Sequence, residues 1–248
     1  MSKTTASKNR SILLLGWFLT LTLFVPIGCG GPEAKEPETV KPKSEVPAFA
    51  ALPQEVPTPL DNPSSKDKEI LGKLLFYDPI LSGDKDVSCA TCHHPRFGTS
   101  DGVSLAIGEG GTRLGPQRKP DPENLPEQRI PRNAPGLWNL GATEFTVMFH
   151  DGRLEADPEE PGGMRTPLGQ EMVEGFDSVL SAQAMFPVLS GDEMAGHYSE
   201  NEVSQAVRLG HLSMDGGAWD RISARVVAIP DYRSRFDAVL GAGVPIRF

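Results

Sequence analysis

Apolar residues recur at helical spacing in the segment that follows residue 63. Ser64 and Asp67 resemble a capping box, in which side chains satisfy the free backbone N–H groups at a helix start. Pro79 cannot continue a helix and disfavours helical geometry in the residue before it. We therefore predict a helix that begins near Ser64 and ends by Asp78. Its apolar positions are Ile70, Leu71, Leu74 and Leu75.

Three more helices are predicted towards the end of the chain. They cover Glu200–Leu209, which Gly210 is placed to stop, Trp219–Val227 and Asp231–Leu240. No run of residues alternates between apolar and polar positions in the way that a half-buried strand does. The pattern predicts a mainly α fold.

Long loops are expected to separate these helices, because the chain holds 26 glycines and 23 prolines. Residues 98–135 are rich in both and predict a wrapping loop, a length that is uncommon unless the loop is functional. The acidic stretch Glu155–Gly163 predicts a surface insertion.

The N-terminus has the layout of an export signal. Basic residues precede the apolar run Ile12–Phe24, which is shorter than the roughly 17–25 residues that span a bilayer. Cys29 follows a glycine at the end of this run, as in a lipoprotein cleavage site. We predict a signal peptide over 1–28, a periplasmic protein and a possible role for Cys29 as a lipid anchor. Ordinary cleavage nearby and an uncleaved anchor remain alternatives.

The next segment, residues 29–63, is polar and carries a proline about every five residues at its start. It predicts an extended linker with little capacity to bury itself. The ordered domain is then expected over 64–248. The net charge is −9, and removal of 1–28 would take away three basic residues and no acidic one. This charge argues against nucleic-acid binding and suits a basic redox partner, although it could serve solubility alone.

The strongest chemical motif is Cys89-Ala90-Thr91-Cys92-His93. Cys-x-x-Cys-His is the attachment motif of a c-type haem, with two thioether-forming cysteines and a histidine that ligates the iron. A disulfide between the two cysteines is the alternative. We predict one covalent haem c, with His93 as axial ligand and His94 as a bystander. The fold class becomes a cytochrome c-like haem domain with long Gly/Pro-rich loops.

The surroundings of this motif resemble the N-terminal haem domain of the bacterial di-haem cytochrome c peroxidases and MauG-like proteins. The resemblance covers about residues 60–240, and its motifs stand in the family's order. The segments that carry it are Leu71–Pro79, Val87–His93, Arg132–Asn139, Phe149–Arg153, Gln183–Met194 and Trp219–Phe236.

This resemblance implies roles for two residues beyond the attachment motif. Glu193 would be the distal acid–base group that moves a proton between the two peroxide oxygens, a step worth typically 10²–10⁴-fold. The Gln183 amide would orient peroxide or the glutamate. Asn133 matches a residue that contributes to the family's calcium site, so calcium is a candidate second cofactor.

The chain departs from the family pattern at three places. Glu109 stands where activation-dependent members carry a histidine that ligates the resting iron, which suggests an open sixth site. A second haem domain with its own Cys-x-x-Cys-His is absent from the sequence. His150 replaces the tryptophan common between the two haems, and a structural hydrogen bond is expected for it. His197 and His211 lie in no motif and are predicted to be at the surface.

Three functions remain open at this stage. The first is a peroxidase that reduces hydrogen peroxide at the haem with electrons from a small c-type cytochrome or cupredoxin. The second is an electron-transfer cytochrome in which Met194 or Met148 fills the sixth site. The third is a haem-binding fragment with little turnover. The Gln183 and Glu193 pair favours the first over the second, whereas the missing second haem leaves turnover of the isolated chain open.

Overall fold

The computed structural model describes residue 58 and residues 62–171, 175–176, 178–197 and 199–247. The predicted signal peptide, Cys29 and almost all of the predicted linker lie outside these residues and stay predictions. Within the described part of the chain, no helix combines the length and the apolar character needed to cross a bilayer.

The first helix, α1, covers Lys66–Tyr77 and begins one residue later than the sequence pattern suggested. Its N-cap is Ser65, whose side chain accepts a hydrogen bond from the Lys68 backbone N–H at 3.2 Å. Ser64 is therefore not the cap. Asp78 ends the helix and caps the 3-10 turn that begins at Pro79, where it accepts a hydrogen bond from the Ile80 N–H.

The helix buries less of its apolar face than its spacing predicted. Leu71 is buried and Leu75 is partly buried against the core, but Ile70 and Leu74 are each 38% exposed. One side of α1 therefore packs inwards and a second apolar side stays open to solvent.

Three helices near the C-terminus form in the segments where the sequence predicted them, and the last of them packs against α1. They are α4 (Glu202–Arg208), α5 (Ala218–Val227) and α6 (Pro230–Leu240); α2 and α3 are the short helices Cys89–Cys92 and Val179–Gln183. Trp219 of α5 is almost fully buried and donates from Nε1 to the Met185 carbonyl at 3.0 Å. Tyr232 of α6 donates to Asp78 at 2.8 Å, which ties α6 to the end of α1.

Two small antiparallel sheets were not predicted. β1 (Gly111–Thr112) pairs with β2 (Lys119–Pro120), and β3 (Val147–Met148), β4 (Leu154–Ala156) and β5 (Met164–Arg165) form a second sheet in that order. The expected insertion Glu155–Gly163 thus begins inside β4 and leads into β5. Short 3-10 turns cover Pro79–Leu81, Pro95–Phe97, Gly115–Gln117, Pro161–Gly163, Gly169–Glu171 and Pro187–Leu189.

The apolar interior has two parts. The larger cluster joins α1, α4, α5 and α6 to Val87, just ahead of the cysteine motif. The smaller cluster packs Val179 and Ala182 of α3 against Met148 and Leu154 of the three-stranded sheet. Helices therefore provide most of the regular structure, and the three-stranded sheet packs against α3.

Candidate functional site

The two motif cysteines lie at opposite ends of the single helical turn α2. Ser88 caps this turn, and its backbone N–H donates to the Thr91 hydroxyl at 3.0 Å. Both cysteines are half-buried free thiols, so the alternative disulfide is not formed. Burial raises the pKa of both thiols, that of Cys92 to about 11, and keeps them neutral.

His93 is fixed through one ring nitrogen. Its Nδ1 lies 3.1 Å from the Thr99 carbonyl and 3.0 Å from the Pro135 carbonyl, and since carbonyls only accept, Nδ1 carries the proton. In the neutral ring the lone pair is then on Nε2, which is the nitrogen that can ligate a metal. Metal-ligating histidines usually hold their second nitrogen in this way, so the motif fits a haem iron.

His94 is occupied elsewhere, as expected of a bystander. Its Nδ1 accepts a hydrogen bond from the Arg96 N–H at 3.1 Å and caps the short turn after the motif. Its ring meets the rings of Tyr77 and Phe97 at centroid distances of 6.3 and 5.7 Å.

The loop after the motif folds back onto it. The Cys92 sulfur lies 3.9 Å from the Ile107 carbonyl. Buried Arg118 donates to the backbone carbonyls of Ile107, Gly108 and Arg113, which holds this return segment in place. Arg118 was not recognised from the sequence, because nothing near it in the chain marks its role.

A turn of π-helix, Gly191–Ala195, packs against this return segment and carries Glu193. The Ser190 carbonyl accepts hydrogen bonds from the N–H groups of Glu193, Met194 and Ala195, at 3.2, 3.0 and 2.9 Å. The Glu109 N–H donates to the Asp192 carbonyl at 3.1 Å and joins the turn to the loop. We call Gly191–Ala195 the distal turn.

Glu193 is the residue of the distal turn with the most perturbed acidity. Burial raises its pKa to about 7, Arg153 opposes this increase and Asp192 adds to it. Its charge also contributes to the raised pKa of Cys92, so the structure brings Glu193 into the electrostatic surroundings of the attachment motif. Arg153 is held over the Phe149 ring at 4.1 Å and pairs with Asp151 at 3.2 Å.

Gln183 is the last residue of α3 and is half-buried. No described residue forms a hydrogen bond with its side-chain amide, so the amide is not tied to Glu193 in this structure. The two methionines considered as sixth ligands are buried in the apolar clusters, Met194 in the larger and Met148 in the smaller.

Asn133 makes contacts within the motif loop. Its amide donates to Asp101 at 3.2 Å and to the Val103 carbonyl at 2.7 Å, and its oxygen accepts from Ser100 at 3.4 Å. Asp101 is fully buried, and its Oδ2 has no partner among the described residues. Asp101 was not singled out from the sequence.

The remaining histidines differ in how exposed they are and in which contacts they make. His211 is exposed as expected. His197 was expected at the surface, and this is wrong: it is only 8% exposed, its Nδ1 lies 3.6 Å from Glu127, and its Nε2 lacks a partner in the described structure. Its ring lies against the distal turn, since a Cβ at Gly191 would be 4.0 Å from His197 Nδ1. His150 is exposed, and no described residue supplies the hydrogen bond expected for it.

We expect Gly108→Ala to disturb the distal turn. A Cβ at this position would lie 2.4 Å from the Glu193 carbonyl oxygen and 2.5 Å from that of Asp192, and neither backbone atom can move alone. Overpacking of this kind costs about 1–3 kcal/mol, measurable as a lower free energy of unfolding in urea. The matched control is Gly72→Ala in α1, where nothing lies within 4 Å; it should be neutral or stabilising by up to about 1 kcal/mol. Equal unfolding free energies for the two variants would contradict the packing.

The haem-attachment motif lies on a helical turn, and the histidine that follows it is anchored through Nδ1. These two features define the class of protein as one that binds a c-type haem. Comparison with known sequences narrows the class. The profile of the di-haem cytochrome c peroxidase family matches residues 66–248, and the chain belongs to that family.

Individual relatives agree with this assignment. The methylamine utilization protein MauG of Methylorubrum extorquens is 37% identical over 150 residues, which cover 54% of this chain and 41% of MauG. The cytochrome c551 peroxidase of Pseudomonas aeruginosa is 32% identical over 115 residues, 46% of this chain and 28% of the peroxidase. The cytochrome c peroxidase Ccp of Escherichia coli is 35% identical over 134 residues, 54% of this chain and 25% of Ccp. The chain thus spans less than half the length of each.

A solved structure of a MauG-like protein associated with microbial copper homeostasis also matches, with a TM-score of 0.44 and 25% identity. The match covers 80% of this chain and 42% of that protein.

Proposed function

We propose that this chain forms a peroxide-reducing haem c domain. Cys89 and Cys92 hold the haem and His93 ligates its iron. Glu193 transfers a proton between the two peroxide oxygens. One observation carries the proposal. The distal turn, which carries Glu193, packs against the loop that returns to the attachment motif: the Glu109 N–H donates to the Asp192 carbonyl at 3.1 Å, and the Cys92 sulfur lies 3.9 Å from the Ile107 carbonyl of the same loop. Burial at this place raises the pKa of Glu193 to about 7. Strongly shifted acids near a cofactor site are frequent at catalytic centres.

A bound haem would supply an iron centre that accepts peroxide and takes up electrons. The chain's own contribution on the proximal side is orientation. With Nδ1 held by the Thr99 and Pro135 carbonyls, the His93 ring cannot rotate freely, and hydrogen bonding at Nδ1 makes Nε2 a more basic ligand.

On the distal side, the chain contributes proton transfer. Ionised Glu193 can take the proton from one oxygen of hydrogen peroxide and return it to the other oxygen, which then leaves as water. A pKa near 7 suits both halves of this transfer at neutral pH, because the group is neither too weak a base nor too weak an acid. Gln183 would orient the peroxide through its amide, which the described residues leave free of other hydrogen bonds.

Electrons would come from a small redox protein. The net charge of −9 favours a basic partner, such as a c-type cytochrome or a cupredoxin with a positive docking surface. We also propose export to the periplasm, with or without lipidation at Cys29. Cell fractionation tests that location, and mass spectrometry of the mature N-terminus tests the lipid.

The proposed function is tested by expressing the mature chain in a host with haem c maturation. The ferric spectrum is recorded, and hydrogen peroxide is then mixed in by stopped flow. We expect a high-spin ferric spectrum that changes rapidly on addition of peroxide. A low-spin, methionine-ligated spectrum that peroxide leaves unchanged would favour the electron-transfer cytochrome instead.

The rate of the peroxide reaction should depend on pH through Glu193. Because the base must be ionised, the second-order rate constant is expected to rise about tenfold per pH unit below pH 7 and to level off above it. Stopped-flow measurements from pH 5 to 9 check this profile. Arg153→Gln should move the midpoint upwards, since Arg153 lowers the pKa of Glu193. A flat profile, or a midpoint near pH 4.5, would contradict the assignment of Glu193.

A further inference from the structure

Three carboxylates from distant parts of the chain meet beside the distal turn. Asp84 precedes the cysteine motif, Glu109 lies in the loop that follows it, and Glu200 lies after the distal turn. One oxygen of each lies within 4.8 Å of the oxygens of the other two. Like charges brought this close repel one another, so the arrangement needs compensation.

Glu109 provides a second, independent observation. Its side chain is 0% exposed, and its Oε2 has no hydrogen-bond partner in the described structure. Oε1 is satisfied, because it accepts from the Asn124 amide and from the Gly110 N–H, both at 3.2 Å. A buried carboxylate oxygen without a partner is costly and rare in folded proteins. The unpartnered oxygen belongs to a group that reaches into the acidic cluster, where a ligand would satisfy it.

No basic side chain pairs with these carboxylates in the described part of the chain. None of the three carboxylates forms an ion pair there with lysine, arginine or histidine. The guanidinium of the nearby Arg118 is instead taken up by backbone carbonyls. Burial, together with Asp86 and Asp84, raises the pKa of Glu109 to about 7, in accord with an uncompensated negative site.

The two exposed carboxylates are held in place by their neighbours. Asp84 Oδ1 accepts from the Asn201 amide at 3.2 Å, and Glu200 Oε1 accepts from the His197 N–H at 2.6 Å. Gly196 leaves room between them, since a Cβ there would lie 2.7 Å from Glu200 Oε1 and 3.0 Å from Asp84 Oδ2. Neighbouring groups therefore orient both exposed carboxylates close to the Gly196 backbone.

We propose that Asp84, Glu109 and Glu200 bind a calcium ion. Carboxylate oxygens are the ligands preferred by hard cations, and Ca²⁺ binds oxygens at about 2.3–2.6 Å. Two oxygens bound to one Ca²⁺ are then at most about 5 Å apart, and the three carboxylates, within 4.8 Å of one another, fall inside this span. Mg²⁺ demands near-ideal octahedral geometry and usually keeps several of its waters, so three carboxylates from separate segments suit the more adaptable Ca²⁺ better. Water would complete the coordination.

This site shares no residue with the one that Asn133 suggests. It would join the segment before the attachment motif, the loop after it and the segment beyond the distal turn. Calcium should therefore stabilise the distal turn, which carries Glu193, whether or not the domain reduces peroxide.

The test is calcium titration of the haem-loaded mature chain after treatment with EDTA, followed by calorimetry and by the thermal unfolding midpoint. We expect a dissociation constant between about 10⁻⁶ and 10⁻³ M for this site and a midpoint that rises with calcium. Asp84→Asn and Glu200→Gln replace exposed carboxylates and should leave the fold intact. Each should weaken calcium binding at least about tenfold by removing a charged ligand, and Glu109→Gln should do the same.

Two controls locate the ion. Asp86→Asn removes an exposed charge from the same loop but no ligand, and Asn133→Ala alters the other candidate calcium site; both should keep the affinity within about threefold. The proposal is overturned if the wild-type chain binds no calcium at about 10 mM. It is equally overturned if Asp84→Asn and Glu200→Gln bind as the wild type does, if only Asn133→Ala abolishes binding, or if Mg²⁺ binds more tightly than Ca²⁺.

Discussion

Glu193→Gln is expected to slow the reaction of the haem-loaded chain with hydrogen peroxide at least about 100-fold. Glutamine keeps the size and polarity of the side chain but cannot accept the peroxide proton. The distal turn is held by backbone hydrogen bonds to the Ser190 carbonyl, and these do not involve the Glu193 side chain. The spectrum, the haem content and the unfolding midpoint should therefore stay unchanged. Stopped-flow mixing at pH 8, where the wild-type carboxyl is ionised, measures the loss.

The adjacent acid provides the matched control. Asp192 lies on the same turn, and its side chain accepts a hydrogen bond from the exposed Gln128. Asp192→Asn should change the rate at pH 8 less than about threefold, because its charge affects Glu193 only through the pKa. A Glu193→Gln variant that reacts as fast as the wild type would remove Glu193 from the mechanism. The haem-binding part of the proposal would stand in that case.

The helices could be predicted because their signals are local. In α4, Gly210 follows the last turn with a φ of +70°, a conformation that glycine adopts without strain. In α5, Trp219, Ile222 and Val226 are all buried on one face. The start of α1 was misplaced by one residue, because Ser64 and Ser65 are both good N-cap residues and the apolar spacing does not choose between them.

The sheets and the distal turn could not be predicted in the same way. β3 and β5 have two residues each, too few for an alternating pattern, and they exist because β4 pairs with both. The distal turn depends on one carbonyl, that of Ser190, shared by three N–H groups, which has no signature in the sequence. His197 packs against this turn, a tertiary contact that has no local signal, so its surface assignment was wrong.

The residues of the candidate site also differ in how far the sequence alone could predict them. Cys89, Cys92 and His93 are contiguous and could be read directly from the chain. The partners that anchor His93 could not, because one of them, Pro135, lies 42 residues further on. The acidic cluster joins residues up to 116 positions apart, from Asp84 to Glu200, so no local pattern could indicate it. Glu109, interpreted from the sequence as the replacement for a histidine ligand, has its carboxylate in this cluster.

His93→Gly and Cys89→Ala should each abolish normal incorporation of haem. Cys89 and Cys92 lie one helical turn apart, so each would supply one of the two covalent attachments proposed for the haem. His93 follows at once, and its Nδ1 hydrogen bonds to the Thr99 and Pro135 carbonyls direct Nε2 to the metal. Glycine removes that ligand together with the hydrogen bonds that link the motif to the Thr99 and Pro135 carbonyls. The expected result is protein without covalently bound haem, measured by haem staining of denaturing gels and by intact mass.

The neighbouring histidine separates a loss of ligation from a loss of folding. His94 accepts a hydrogen bond from the Arg96 N–H and packs near Tyr77, so His94→Ala perturbs the same loop without removing the ligand. Its haem content should remain that of the wild type. If His93→Gly retained full covalent haem with an unchanged ferric spectrum, His93 would not be the axial ligand. Full haem in Cys89→Ala, with two thioether bonds by mass, would require another cysteine to attach it. Cys89 and Cys92 are the two free cysteines of the described chain, which makes that outcome a sharp contradiction of the attachment site.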